Sequence, residues 1–519
     1  MFQKTKGAIA GGDELTVEAG YEILRSGGNA FDAALGATLM TFVASSTITS
    51  MAGGGFMMAS SRGSKPVLLD FFTHTPLHKK PENSLEFFPI TVDFGDKTQE
   101  FHVGMGTAAT PGNLAGLFEI HKRYGSLPFS VLTEPACEAA RKGVPLHKQT
   151  KYQADILAPI LTLSETGKQI YTSEGKIKDI DESYFLPNFA DFLEFVAKEG
   201  PREFYEGEIA KKIASDSNER GGNLTLDDFS NYQVLKREPL IFPYRDYSIA
   251  TNPPPNAGGP LIAFTFSLLN QFPLKQDQWG SEYHLKLLAE AIEYTTLARK
   301  ETFVHNRYNP GVLQMLFDAS YINKINTELK KSINKSGNTT HVSVVDEFDN
   351  FVSITTSHGE GCGYYIPGTD IMLNNMLGEE DLCPEGFFNW PLNVRISSMM
   401  SPTLFLKNEM PVAALGSGGS NRIRSAIVQA ISNYIDFGMS PEESVNAPRI
   451  HWENNHLDVE PGYDIDIVDS IHLPGDSEKI YWTALNMYFG GVHAVFKDDH
   501  GNLEPAGDRR RVGAVRKSE

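Results

Sequence analysis

Residues 339–357 read Thr339-Thr340-His341-Val342-Ser343-Val344-Val345-Asp346-Glu347-Phe348-Asp349-Asn350-Phe351-Val352-Ser353-Ile354-Thr355-Thr356-Ser357. Two β-rich runs flank Glu347-Phe348-Asp349, the pattern of a hairpin with a three-residue loop. Asp346 then faces Asn350, which sets every other pair. Val344 faces Val352 and Val342 faces Ile354, making an apolar face. Ser343 faces Ser353, His341 faces Thr355 and Thr339 faces Ser357 on the other. Side chains alternate with period two, so Thr339 and Ser357 point the same way, with Cβ atoms about 5 Å apart. A one-residue slip would bury the polar face, so the register is specified by keeping that face out of the core.

Two hydroxyls at a strand end are not yet a catalyst, because a threonine hydroxyl needs an adjacent base. No GxSxG elbow or His–Asp partner set for a serine hydrolase is present. A free α-amino group, with a pKa near 8, suits general-base work at neutral pH. Thr339 gains one only if the Asn338–Thr339 bond is cut. The polar segment Lys330-Lys331-Ser332-Ile333-Asn334-Lys335-Ser336-Gly337-Asn338 is where a chain can be cut without unravelling a core.

The chain has 519 residues, 41% hydrophobic and 21% charged, enough for a large core. Its formal net charge of −19 argues against a nucleic-acid surface, which needs a basic face. The three cysteines, Cys137, Cys362 and Cys383, form no CxxC, so neither a disulfide framework nor a zinc site is expected. No cofactor or metal is expected. The N-terminal residues lack an apolar signal core and no apolar run is long enough to span a membrane, giving a cytoplasmic expectation.

Residues 14–44 carry helical periodicity broken at Gly27-Gly28-Asn29, and Gly53-Gly54-Gly55 predicts close backbone packing at a strand start rather than a phosphate loop. Residues 75–105 predict an irregular excursion with hairpins, and 111–215 a mostly helical stretch. The loop Thr251–Gly259 ends in a helix-starting glycine pair, followed by helix to about residue 330. The acidic run Glu379-Glu380-Asp381 reads as a solvated loop, and His341 as a residue that packs and orients the hairpin. The sequons at Asn223 and Asn338 carry little weight without a secretion signal.

The segment from Thr339 to Asp346 resembles the TTHxSVVD run that opens the small subunit of γ-glutamyltransferases (γ-glutamyltranspeptidases). Ordered motifs along the whole chain extend the resemblance. They include EAGYEILRSGGNAFDAA from Glu18, GGGFM from Gly53, PPPNAGG from Pro253, LNNML from Leu373, SSMMSPT from Ser397, GSGGSNRI from Gly416 and GDRRRVGA from Gly507. The resemblance implies an α/β N-terminal-nucleophile αββα sandwich, made as a precursor and cleaved into interlocked large (1–338) and small (339–519) subunits. It implies an amide hydrolase or acyltransferase on γ-glutamyl or related compounds, glutathione among them. The partners implied are a small-molecule or peptide amide substrate and the two subunits of one chain, with a homodimer of precursors or heterodimers as the candidate assembly.

Residue by residue, Thr339 matches the family's nucleophile and Ser357 its second hydroxyl, a threonine in most members. Gly416–Ser420 resembles the oxyanion turn, with donors at Gly419 and Ser420, or at Gly418 and Gly419 in the other alignment. Ser397 and Ser398 match the α-carboxylate-binding serine pair, and Glu379 an aspartate. Gly359 stands where the family has an asparagine and Met376 where it has a glutamine. No arginine accompanies Lys79 and Lys80 in the region of the carboxylate clamp, and lysine lacks the bidentate fork. A cephalosporin-acylase-like or poly-γ-glutamate-processing acylase is therefore an alternative. A folded, non-catalytic ligand-binding member is the alternative from another class.

Overall fold

The computed structural model describes residues 4–93, 98–302, 304, 311–318, 321–322, 339–383, 385–453, 455–472 and 477–518. Asn338 and the polar segment before it lie outside these residues. The hairpin forms as expected, with strands Thr340–Asp346 and Phe351–Ser357 and pairs running from Thr340 with Thr356 to Val345 with Phe351. The loop closes through Asp349, in the left-handed region at φ 62°, the conformation a three-residue hairpin loop calls for. Asp346 fastens both ends of this loop: its carboxylate accepts the N–H groups of Phe348 (2.9 Å) and Asn350 (3.1 Å). It also accepts the N–H of Ala30 (2.8 Å), at the start of helix Ala30–Ala44.

The hairpin sits inside a seven-stranded antiparallel sheet. Phe351–Ser357 pairs with Gly54–Ser60 on one side, and Thr340–Asp346 with Gly7–Gly11 on the other. The glycine triplet is explained by this pairing. A Cβ on Gly53 would lie 2.1 Å from the Ser357 carbonyl oxygen, and one on Gly55 2.5 Å from that of Thr355. A second, six-stranded antiparallel sheet carries Tyr247–Thr251, Thr403–Lys407, Met410–Gly418 and Gly491–Lys497. Its strands Met410–Gly418 and Gly491–Lys497 pack face to face on the hairpin. Helices Glu14–Arg25 and Ala30–Ala44 cover the outer face of the first sheet, and helix Arg422–Ile435 packs on the second.

Strand parity decides what each layer receives. Val342, Val344, Val352 and Ile354 turn outward into the core shared with the helices. Each is fully buried and contributes on the order of 1.5–3 kcal/mol. Val345 and Phe351 turn inward, toward the second sheet. The expectation that a slip would bury the polar face is corrected here: every residue of both strands is buried, because the second sheet covers that face as well. Its polar groups are paired instead of solvated. Ser353 Oγ donates to the Leu415 carbonyl (2.8 Å) and Ser343 Oγ to that of His493 (3.2 Å).

Helices Glu14–Arg25 and Ala30–Ala44 fall where the periodicity placed them. The helical stretch after Gly259 is interrupted: Gly258–Leu269 and Glu282–Thr302 are separate helices. Strands Leu235–Arg237, Leu240–Tyr244 and Tyr247–Thr251 have no counterpart in the sequence reading. Among the described residues no helix is long and apolar enough to cross a membrane.

Candidate active site

Thr339 sits one residue before its strand and is 5% exposed. It opens, with Ser357, into a cleft also lined by Glu379, Asp381, Ser398 and Ser420, and by the apolar side chains of Phe72, Met376, Leu382, Met399, Met400 and Ile423. The two hydroxyl residues meet there because they extend the Thr340–Thr356 pair by one step. Ser357 Oγ accepts the N–H of Gly359 at 3.1 Å, which fixes the side chain at the strand end.

Behind Thr339 runs the glycine turn at the end of strand Met410–Gly418. Gly416 makes room for His341: a Cβ there would lie 2.4 Å from the imidazole. That ring bridges Thr355 Oγ1 (2.8 Å from Nδ1) and Ser343 Oγ (2.9 Å from Nε2) between the sheets. Burial, with His493 beside it, holds His341 neutral, so it orients the hairpin as expected. Gly418 admits the backbone of Thr339: a Cβ there would lie 2.1 Å from its carbonyl oxygen. Gly419, at φ 122°, and Ser420, at φ 49°, then reverse the chain into helix Arg422–Ile435. The N–H groups of Gly419 and Ser420 donate to no acceptor among the described residues. Two such donors beside a helix N-terminus are an arrangement that can hold a negatively charged oxygen.

The cleft floor comes from loops whose polar groups are spent on shape. Asn374 Oδ1 accepts the N–H of Ala109 (3.1 Å) and its Nδ2 donates to the carbonyls of Ala52 (2.9 Å) and Ala109 (2.8 Å). Ser398 Oγ accepts the Met400 N–H (3.1 Å), while its carbonyl receives the N–H groups of Ala257 and Gly258. Ser397 is half-buried and does not line the cleft. Glu379 is buried, with Oε1 unpartnered among the described residues, and burial pushes its carboxyl up from the ordinary range. Asp381 accepts hydrogen bonds from Ser420 Oγ and from Asn421 Nδ2. The solvated-loop reading of this acidic run thus holds only for Glu380; Glu379 and Asp381 wall the cleft instead.

Lys79 and Lys80 line a different depression, with Asn223, Phe388 and Trp390. Lys79 Nζ donates to the Phe388 carbonyl (2.9 Å) and stands 4.2 Å over the Trp390 ring. Arg395 is buried against Asp70 (3.2 Å), Tyr232 (2.7 Å) and the Gln233 carbonyl (2.6 Å). No group of three His, Cys, Asp or Glu side chains among the described residues could hold a metal ion.

One residue escaped the sequence reading. Arg511 Nη1 donates to the Thr339 carbonyl at 3.1 Å, across 172 positions. The available signal was compositional: Asp508 is followed by three arginines, so one carboxylate cannot serve them all. Arg449 and Arg510 take Asp508, at 2.7 and 3.1 Å, and Arg510 also takes Glu460.

A strand-end hydroxyl beside a second hydroxyl, backed by free N–H groups on a glycine turn, is the layout of enzymes that attack acyl carbonyls. The chain belongs to the gamma-glutamyltranspeptidase family, whose pattern it matches over residues 16–518. It is 29% identical to the glutathione hydrolase proenzyme of Escherichia coli (strain K12), over 98% of this chain and 91% of that protein. It is also 29% identical to the acylase ACY 1 proenzyme of Pseudomonas sp. (strain SE83), over 98% of this chain and 93% of that one. The fold resembles the crystal structure of cephalosporin acylase from Bacillus halodurans, with a TM-score of 0.87 at 23% identity, covering 99% of this chain and 96% of that one.

Proposed function

We propose that the chain is a self-processing N-terminal-threonine amide hydrolase or acyltransferase of the N-terminal-nucleophile αββα type, acting on γ-glutamyl or related acyl amides. The observation that carries this reading is the shared cleft of Thr339 and Ser357, with the glycine turn behind it. In the precursor, Thr339 Oγ attacks the carbonyl of Asn338. The N–O acyl shift gives an ester and frees the Thr339 α-amine, and water then cleaves the ester to the Asn338 carboxylate and the Thr339 hydroxyl. In the mature enzyme that amine takes the proton as Oγ attacks the donor carbonyl. The N–H groups of Gly419 and Ser420 receive the oxyanion, and the proton passes to the leaving amine. Water or an amino group then resolves the acyl-enzyme. Residues 1–338 and 339–519 stay together after cleavage because Thr340–Asp346 and Phe351–Ser357 are flanked by Gly7–Gly11 and Gly54–Ser60.

The donor side favours a substrate other than a standard γ-glutamyl amide, which is the acylase alternative. Gly359 and Met376 offer no amide side chain to the cleft, and Lys79, Lys80 and Arg395 are engaged elsewhere. An α-carboxylate left unpaired in a closed site costs roughly 1–3 kcal/mol or more. A screen of γ-glutamyl anilides, glutathione and acyl amides with the mature protein tests this. Amides lacking the α-carboxylate are expected to be turned over best. Saturable hydrolysis of glutathione at micromolar levels would contradict the donor assignment, and inertness toward every amide would contradict the enzyme reading.

A further inference from the structure

Arg511 is buried and ends at the residue on which the proposed chemistry turns. Besides its bond to Thr339, Nη2 reaches the Met487 carbonyl at 3.4 Å, and Nε has no acceptor among the described residues. It forms no ion pair with a carboxylate among them. Asp508 is held ionised, against its burial, by Arg449 and Arg510. Gly418, Gly419 and Gly491 leave space for the guanidinium: Cβ atoms on them would lie 3.3, 3.3 and 2.4 Å from Arg511 atoms. Burial lowers Arg511 to about 10, so it remains charged at neutral pH.

The other charged groups around Thr339 are identifiable. A cavity behind it is lined by Asp13, His147, His341, His493 and Arg511. Burial keeps His341 and His493 neutral, and Asp13 faces His147 at 3.4 Å. On the cleft side, Asp381 is tied to Ser420 and Asn421, and burial favours the protonated form of Glu379. Arg511 is thus the standing charge in direct contact with the Thr339 backbone. Standard backbone dimensions put it on the order of 6 Å from the α-nitrogen.

We infer that Arg511 is a positioning residue that holds Thr339 by its carbonyl and keeps the released α-amine uncharged, ready to accept a proton. This rests on the N-terminal-threonine reading above. Before cleavage the same bond fixes the rotation of Thr339 and so aims Oγ at the preceding carbonyl. After cleavage a cation at that distance disfavours the ammonium form by about one pKa unit.

Arg511→Gly separates this role from a packing role, because guanidinium ion can re-enter the vacated site. Self-cleavage of the full chain should slow about tenfold or more and be restored by millimolar guanidinium chloride. After dialysis, the pH dependence of acetic anhydride labelling at the Thr339 α-amine, read by mass spectrometry of the N-terminal peptide, should have a midpoint about one unit above that of the unaltered enzyme. Arg511→Lys, which keeps the charge, should retain the original midpoint. An unchanged labelling midpoint in the glycine variant, or slow cleavage that guanidinium leaves slow, overturns the inference. If the unaltered chain presents no threonine N-terminus, the reading under Proposed function fails instead.

Discussion

A Cβ placed on Gly418 would lie 2.1 Å from the carbonyl oxygen of Thr339, closer than any side chain tolerates. The glycine is required by space, since it continues a strand paired with Gly491. Gly418→Ala must push the strand end carrying Thr339 away from the turn. A shift of about 1 Å costs on the order of 10²-fold in rate. The variant is expected to fold, because the hairpin pairs from Thr340 onward are untouched, and to cleave itself at least that much more slowly. Cleavage at the unaltered rate, followed by gel electrophoresis over time, would show that the turn does not set the position of Thr339.

Ser357 tests the second hydroxyl. Its Oγ is fixed by the Gly359 N–H and opens into the same cleft as Thr339. Ser357→Ala should lower turnover about tenfold or more with little change in melting temperature, whereas Ser357→Thr should be tolerated because it keeps the hydroxyl. Steady-state kinetics on the best donor decides the point. Full activity in the alanine variant removes Ser357 from the chemistry.

The histidines between the sheets tie stability to pH. Burial pushes His493 down to about 4. The unfolded chain therefore binds a proton as pH falls below about 6.5 while the folded chain does not, so stability is full above that pH and is lost as pH falls toward 4. Between pH 7 and pH 5 the share of this one residue is on the order of 2 kcal/mol. His493→Gln should flatten the fall in urea midpoint between those pH values, leaving the parts due to His284, His341, His358 and His451, which burial also depresses. An identical slope in the variant would show that His493 does not titrate with unfolding.

The hairpin was legible because its determinants are local. Alternating β-branched residues and a short loop fix which residues face each other, and the Thr339–Ser357 juxtaposition follows without tertiary information. The burial of the polar face was not legible, since it depends on a second sheet built from strands such as Met410–Gly418 and Gly491–Lys497, far along the chain. Helices Glu14–Arg25 and Ala30–Ala44 were readable from periodicity broken at Gly27-Gly28-Asn29. Strand Leu240–Tyr244 was not, having an interior proline, Pro243, that a sheet accepts only at an edge. The site divides the same way. Thr339, Ser357 and the glycine turn lie in recognisable stretches, whereas Arg511 reaches its partner only through the buried pairing of Asp508 with two other arginines.

The claim on which the rest depends is that Thr339 becomes an N-terminus. Intact-mass spectrometry of the purified chain under denaturing conditions, beside Thr339→Ala, tests it directly. The unaltered protein should give two pieces, residues 1–338 and 339–519, the second beginning with a free threonine. The alanine variant should remain one chain of 519 residues, because without Oγ the acyl shift has no nucleophile. An uncut unaltered protein that still hydrolyses amides, or an alanine variant cut at the same bond, would contradict the account.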